Sequence, residues 1–362
     1  MNVTVSQADL AHALAAIRPA IAGRPSHPIL SNVLLTTTAS GATLSGFDLS
    51  LGISVAIAAE ATSTGRAALP YALLAPLVAK LPDAALTLQV NGGQATLTST
   101  CGVYNLAVAA ADDYPDLMAP GAAATAVVLP AIELQAAIAA TQHAASRDQS
   151  KQVLQCLSLC ADAAAIEAAA TDGHRLSVYG PHRSPDLPRV TVPAAVLRHV
   201  AGLAGDVITL TRDATVVRFS NDRITITSRT IDGTYPNYRQ LIPGSFKHNI
   251  TIDRRGMASA LERVAVLADQ HNSVVKLSIR DGQLTIRAEI QDVGSGAETL
   301  AVDSTTDADA AFNVRYLLDG LKVLPTTQVR LSMNTSTAPA ILAPVDGDTL
   351  QTYLIMPVQV RT

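Results

Sequence analysis

Six stretches of this chain carry apolar side chains at helical spacing, and they fall into three pairs repeating at a period of about 121 residues. The first helix of each pair is predicted over 6–17, 130–141 and 253–268, and the second over 70–81, 193–204 and 313–324. In the first stretch Leu10, Leu14 and Ile17 sit at i, i+4 and i+7, and in 193–204 Val196, Leu197, Val200 and Leu203 share a face in the same way. One face of each helix is thus fitted to a sheet, which leaves the other for solvent or a partner. The start signals agree. Ser6 with Asp9 three residues on resembles a capping box, and Asn313 is suited to an N-cap. Pro70, Pro130 and Pro193 stand where a first helical residue tolerates proline.

Between the helices the period shortens to two. Strands are predicted over 29–38, 42–47 and 52–59 in the first repeat, 152–160 and 164–179 in the second, and 273–280 and 283–290 in the third. After each second helix the alternation returns, over 85–90 and 94–99, then 207–212 and 216–227, then 327–334 and 349–358. Ser40-Gly41, Asn91-Gly92-Gly93 and Asp281-Gly282 mark hairpin turns between such runs. Tyr114-Pro115 and Tyr235-Pro236 lie 121 residues apart at the ends of the first two repeats. Proline forces the residue before it into an extended conformation, so each pair reads as a crossover into the next repeat. These boundaries give three like domains, 1–120, 121–244 and 245–362, of α+β type.

Composition narrows the picture. Apolar residues make up 48% of the chain but aromatics only 3%, with no Trp, so the core must be aliphatic. No apolar run approaches the roughly 18 residues that cross a bilayer, and the first residues lack the charged and apolar regions of a secretion signal. The expected location is the cytoplasm, with no membrane partner. Three cysteines, Cys101, Cys156 and Cys160, are too few for a disulfide framework and read as buried reduced thiols, with no metal or cofactor motif among them. Net charge is −4, yet the six predicted helices with their flanking residues hold eight basic side chains against five acidic ones. Positive charge is therefore concentrated on the repeated helices of an acidic protein, which suggests an anionic ligand facing them.

Five segments, in order and at characteristic spacing, carry a resemblance. They are Gly23-Arg24-Pro25 followed by Pro28-Ile29-Leu30, Thr171-Asp172-Gly173-His174-Arg175-Leu176, Ile231-Asp232-Gly233-Thr234-Tyr235-Pro236-Asn237-Tyr238-Arg239, Phe312-Asn313-Val314 with Tyr316, Leu318 and Asp319, and Tyr353-Leu354-Ile355-Met356-Pro357-Val358. With them the chain resembles, over nearly its whole length, the bacterial sliding clamps, the β subunits of DNA polymerase III. The resemblance implies a head-to-tail homodimeric ring with helices lining a hole around double-stranded DNA, and a non-catalytic role conferring processivity on the replicative polymerase. Partners would be the polymerase α subunit, the clamp loader and other proteins bearing a clamp-binding motif. A sliding channel should hold phosphates without reading bases, since backbone contacts carry no direct sequence information.

Carried over residue by residue, Arg24, Arg147, Gln149 and Lys151 match loop positions that meet DNA. Lys80, Arg198, Arg254, Arg263 and Lys322 are added from their place on the helices. A peptide-binding pocket would be lined by Leu154, Thr171, Gly173, His174, Arg175, Leu176, Pro243, Tyr316, Leu354, Ile355, Met356, Pro357 and Val358. Gly173 would permit a tight backbone path, Arg175 would fix polar groups of the peptide, and the flexible thioether of Met356 suits a site with several partners. Tyr104 and Leu106 on one side, and Val266 and Leu267 on the other, would form the subunit joint, a contact between unlike surfaces that closes into a ring. The chain departs from the family where Gly244-Ser245-Phe246-Lys247 follows Pro243 without an arginine, and where Gln359 stands in place of the usual arginine. Two other readings compete. An open, repeat-built protein could bind peptide or nucleic acid without closing a ring, and Asp172 with His174 could form the orienter and base of a hydrolase.

Overall fold

The computed structural model describes residues 1–162, 164–181, 188–231, 233–268, 273–290, 294–304, 306–345 and 351–359. Asp232, Thr349, Leu350 and 360–362, which the sequence reading touched, lie outside them. The chain folds as two compact units, one formed by 1–131 with 202–230 and the other by 132–201 with 231–362. Helices α1 (Gln7–Ile17), α2 (Tyr71–Val78), α3 (Ala131–Thr141), α4 (Ala194–Val200), α5 (Arg254–Ala268) and α6 (Val314–Val323) match the six predicted stretches. Each is entered directly from a strand: Asn2–Ser6, Gly65–Pro70, Thr125–Pro130, Val190–Pro193, His248–Asp253 and Ala308–Asn313.

This direct entry corrects the proline expectation. Pro70 and Pro193 are N-caps with non-helical dihedrals rather than first helical residues. Each closes its strand, where proline's missing N–H does least harm. The other caps are as expected. Ser6 Oγ accepts from the Asp9 amide at 3.0 Å, and Asn313 Oδ1 accepts from the Arg315 amide at 2.9 Å.

In the first unit a five-stranded antiparallel sheet runs Ala59–Ser63, Asn2–Ser6, Ala85–Asn91, Gln94–Ser99, Gly102–Ala107. An eight-stranded sheet runs Thr125–Pro130, Val207–Arg212, Val216–Ser220, Ile224–Arg229, Leu51–Ile57, Gly41–Phe47, Asn32–Thr38, Gly65–Pro70. Its first four strands come from the second sequence repeat and its last four from the first. They join where Ile226 stands opposite Ile53. The second unit repeats the scheme. Its large sheet runs Val190–Pro193, Cys156–Ala161, Ile166–Thr171, Arg175–Tyr179, Gln351–Ile355, Ala340–Pro344, Gln328–Met333, His248–Asp253, and the repeats join where Ser177 faces Tyr353. A four-stranded sheet, Gly294–Ala301, Gln283–Ile290, Val274–Arg280, Ala308–Asn313, completes it.

Two predicted strands are in fact hairpins. The stretch 164–179 breaks into Ile166–Thr171 and Arg175–Tyr179 around Asp172, Gly173 and His174, and 216–227 breaks around Asn221, where the Asn221 carboxamide accepts the Arg223 and Ile224 amides. Polar residues at these points satisfy the backbone that the ladder leaves. The core is aliphatic as expected, with Tyr353, Phe219 and Phe312 the aromatic side chains among the largest fully buried ones. Tyr114, extended before its proline (ψ 123°), is buried against Leu34, Phe47 and Ala68. Cys156 and Cys160 are buried free thiols, whereas Cys101 is exposed in the turn between Gln94–Ser99 and Gly102–Ala107, contrary to expectation.

Candidate functional site

The motif 171–176 forms the tip of a hairpin in the second unit. Gly173 has φ +94°, a left-handed conformation that glycine takes without penalty. Asp172 Oδ1 accepts the amides of His174 (2.9 Å) and Arg175 (3.0 Å), while Thr171 Oγ1 accepts the Gly173 amide and donates to the Arg175 carbonyl at 2.6 Å. From outside the hairpin, the Tyr235 hydroxyl accepts the Thr171 amide, and the Met356 amide donates to the His174 carbonyl at 2.9 Å. The tip is a braced turn rather than a loose loop.

Arg175 extends the bracing. Its Nε reaches Asp172 at 3.1 Å, Nη1 reaches Asp319 on α6 at 2.5 Å, and Nη2 donates to the His143 carbonyl at 2.8 Å. Its guanidinium lies 4.5 Å from the centre of the Tyr316 ring. Burial works against the charge, but Tyr353, Asp319 and Asp172 outweigh it, so the guanidinium is held charged more firmly than usual. The Arg175 side chain is buried, and in this structure its donors hold the turn. The hydrolase reading fails for a related reason. The Asp172 carboxylate faces backbone amides and Arg175, and the His174 ring stacks on Tyr316 with centroids 6.4 Å apart, so Asp172 does not orient His174.

A cleft of about 570 Å³ opens beside the turn. His174 and Tyr316 form part of its lining, and Arg147, Lys151, Arg315 and Lys322 supply cations around it. Three residues expected to meet DNA, Arg147, Lys151 and Lys322, therefore share a cleft with three expected to meet peptide, His174, Arg175 and Tyr316. Gln149 is exposed on the same loop. Arg315 was not singled out, although its spacing of seven from Lys322 on α6 puts both on one helical face.

The remaining cations divide. Arg24, Lys80 and Arg198 are exposed, as a phosphate-facing side chain must be. Arg254 is not available: its Nε donates to the Thr326 carbonyl at 2.7 Å and its Nη1 to the Leu321 carbonyl at 3.1 Å, closing the end of α6. Arg263 is held by both oxygens of Glu298. Of the apolar lining, Leu176, Leu354 and Ile355 are core residues, fully buried. Leu176 and Leu354 face each other across the junction of the sheet and pack with Ala169, Val178, Tyr238 and Ile341. Leu154, Pro243, Pro357 and Val358 are half-buried and Met356 is exposed, so these are the positions a partner could touch.

Three family models for the DNA polymerase III beta subunit match in succession: the N-terminal domain over 1–118, the central domain over 128–237 and the C-terminal domain over 239–359. The beta sliding clamp of Synechococcus elongatus is 38% identical over 377 aligned residues, covering 100% of both chains, and that of a Synechocystis strain is 35% identical, covering 99% of each. The crystal structure of the DNA polymerase III subunit beta from Pseudomonas aeruginosa superposes with a TM-score of 0.93 at 25% identity, covering 99% of this chain and 100% of that one. The chain belongs to the DNA polymerase III β-subunit family.

For a β subunit, the free sheet edges are the next concern. In the first unit Gly102–Ala107 is an outermost strand, carrying Tyr104 half-buried and Leu106 turned into the core at 7% exposure. In the second unit Gly294–Ala301 is outermost, and α5 packs on it with Leu267 so close to Gly296 that a Cβ there would lie 2.8 Å from the leucine. Val266, next along α5, is 68% exposed. Leu106 thus anchors the edge strand from within, while Tyr104 and Val266 remain accessible.

Proposed function

We propose that this chain works as a non-catalytic sliding clamp. Two copies close head to tail around double-stranded DNA, and the ring tethers DNA polymerase III while docking the polymerase α subunit, the clamp loader and other proteins with a clamp-binding motif. The observation that carries the reading is the likeness to named clamps along nearly all of the chain. Its three domains are taken as 1–120, 121–244 and 245–362. The exposed or half-buried set His174, Tyr316, Leu154, Pro243, Met356, Pro357 and Val358 forms the docking surface, and Arg24, Lys80, Arg147, Gln149, Lys151, Arg198 and Lys322 face the DNA. The unpaired strand containing Tyr104 and the edge beside Val266 and Leu267 meet in the dimer, each completing the other's sheet.

Among the described residues no helix is long and apolar enough to cross a membrane, and no group of acidic, histidine or cysteine side chains could hold a metal. The test is topological. The protein is loaded onto nicked circular DNA with a clamp loader, and the circle is then cut. Release on cutting is the expected result. Protein that stays bound to the linear product would favour the open, repeat-built alternative.

A further inference from the structure

A second niche in the 132–201 and 231–362 unit lies outside the cleft described above, although its Tyr235 also braces the 171–176 turn. Its volume is about 180 Å³, and it is lined by Ser158, Arg189, Tyr235, Pro236, Asn237, Tyr238 and Arg239. Beneath it lies Glu167, the lone charged residue of strand Ile166–Thr171 and fully buried. Arg189 Nη2 donates to Glu167 Oε1 at 2.7 Å and Arg239 Nη2 to Oε2 at 2.6 Å, while the Tyr238 hydroxyl also donates to Oε1 and accepts from Arg189 Nη1 at 3.0 Å. Burial and then the bond to Glu167 keep the Tyr238 phenol protonated, above its ordinary pKa.

Two features of this arrangement point outward. Among the described residues, Arg189 and Arg239 bring two guanidiniums to the single carboxylate of Glu167, and Nε of Arg189 and Nε and Nη1 of Arg239 make no hydrogen bond there. Independently, Ser158 is 1% exposed on the strand beside Glu167, yet its Oγ has no hydrogen-bond partner. Register places Ser158 opposite Ala169 and Cys160 opposite Glu167, so Ser158 and Glu167 project from the same face of the sheet. A buried hydroxyl without a partner is destabilising and calls for an explanation.

We propose that Ser158, Arg189 and Arg239 form a site for one carboxylate, presented by the glutamate or aspartate side chain of an acidic peptide. The free N–H groups of the two arginines can donate to the two oxygens of one carboxylate. The volume suits one side chain and is well below the roughly 300 Å³ at which pockets for small molecules begin. The flanking rings of Tyr235 and Tyr238 would cover the methylenes of an incoming glutamate.

The experiment follows the arginine Nε–Hε signals of the full-length protein by NMR while N-acetylglutamate N-methylamide, its neutral glutamine analogue, acetate or inorganic phosphate is added. The Arg189 and Arg239 signals are expected to move saturably with the glutamate compound, to ignore the glutamine analogue, and to need at least threefold more acetate. Ser158→Ala should leave thermal stability unchanged or slightly raised and weaken glutamate binding about tenfold. Ser158→Val, which fills the niche, should abolish it. Signals that respond to phosphate in preference to carboxylates would overturn the carboxylate assignment, and equal affinity for acetate would overturn the peptide source. Unchanged affinity in both Ser158 variants would remove the site altogether.

Discussion

Arg175 and Asp319, 144 residues apart in sequence, meet at 2.5 Å and pin the 171–175 turn to helix α6. The arginine is buried on one side of this contact, while 38% of the Asp319 side chain remains exposed on the other. Removing the two partners should therefore have unequal effects. Arg175→Ala leaves Asp172 Oδ2 and the His143 carbonyl without the donor they share and is expected to cost about 3 kcal/mol. Asp319→Asn keeps a hydrogen-bond acceptor in place and should cost under about 1 kcal/mol. Urea unfolding of both variants checks the order. A clamp-binding peptide should also bind Arg175→Ala poorly, because the turn that presents His174 would no longer be held.

His143 introduces a pH dependence. Its ring lies 5.4 Å from Tyr353 with both nitrogens buried and unpartnered, and burial, aided by Arg175, lowers its pKa from 6.5 to about 4. The folded state thus holds the neutral ring while the unfolded chain takes up a proton first. Stability from this source is complete above pH 6.5 and declines as the pH falls from 6.5 towards 4, by about 3 kcal/mol in all. His143→Phe keeps the ring contact and should flatten that limb. Denaturant midpoints measured between pH 4 and pH 7 would reveal it, and an equally steep acid limb in the variant would exclude His143 as its source.

The cations sort into two experimental classes. Arg24→Glu and Lys151→Glu should shorten retention on circular DNA and reduce its salt dependence, with the dimer intact. Arg254→Ala should instead lower stability by about 1 kcal/mol, through the Thr326 and Leu321 carbonyls it leaves bare, and change DNA retention little. Retention times across a salt series, measured beside melting curves, separate the classes. Arg24→Glu and Lys151→Glu proteins that slide for as long as the parent would remove both residues from the DNA path.

Gly320 lies in α6 where a Cβ would come within 2.3 Å of the Tyr353 ring. Gly320→Ala gains roughly 1 kcal/mol of helix propensity but must displace a fully buried ring, and a net loss of about 1–3 kcal/mol is expected. Tyr353→Leu in the same chain should recover part of it. A melting temperature for Gly320→Ala at or above that of the parent would mean the ring yields freely.

The helices and their order could be read from the chain because Leu, Val and Ala keep their spacing whatever they pack against. The strands that lead into them were hidden, since Ser6, Pro70 and Asn313 end a strand and begin a helix within a single residue. Charge on a helix was less informative. Arg254 and Arg263 look like Lys322 in sequence, but their partners lie 35 to 72 residues away and only the fold brings them together. In the 171–176 motif the types were legible and the roles were not: Arg175 and Leu176 sit beside exposed His174 yet face inward. Glu167 did leave a trace, as a single charge in the apolar run Ile166–Thr171, a pattern that marks a buried, paired carboxylate.

The position of Gln351–Ile355 in the middle of its sheet has a consequence for synthesis on the ribosome. The large sheet of the first unit has all eight strands once residue 229 has emerged, whereas Arg175–Tyr179 waits for a neighbour that ends 176 residues later. At roughly 5–20 residues per second that is about 10–35 s with an apolar strand edge unpaired. The nascent chain is most vulnerable to misassembly in this interval, and the half that carries the 171–176 turn is the last to become a finished structure.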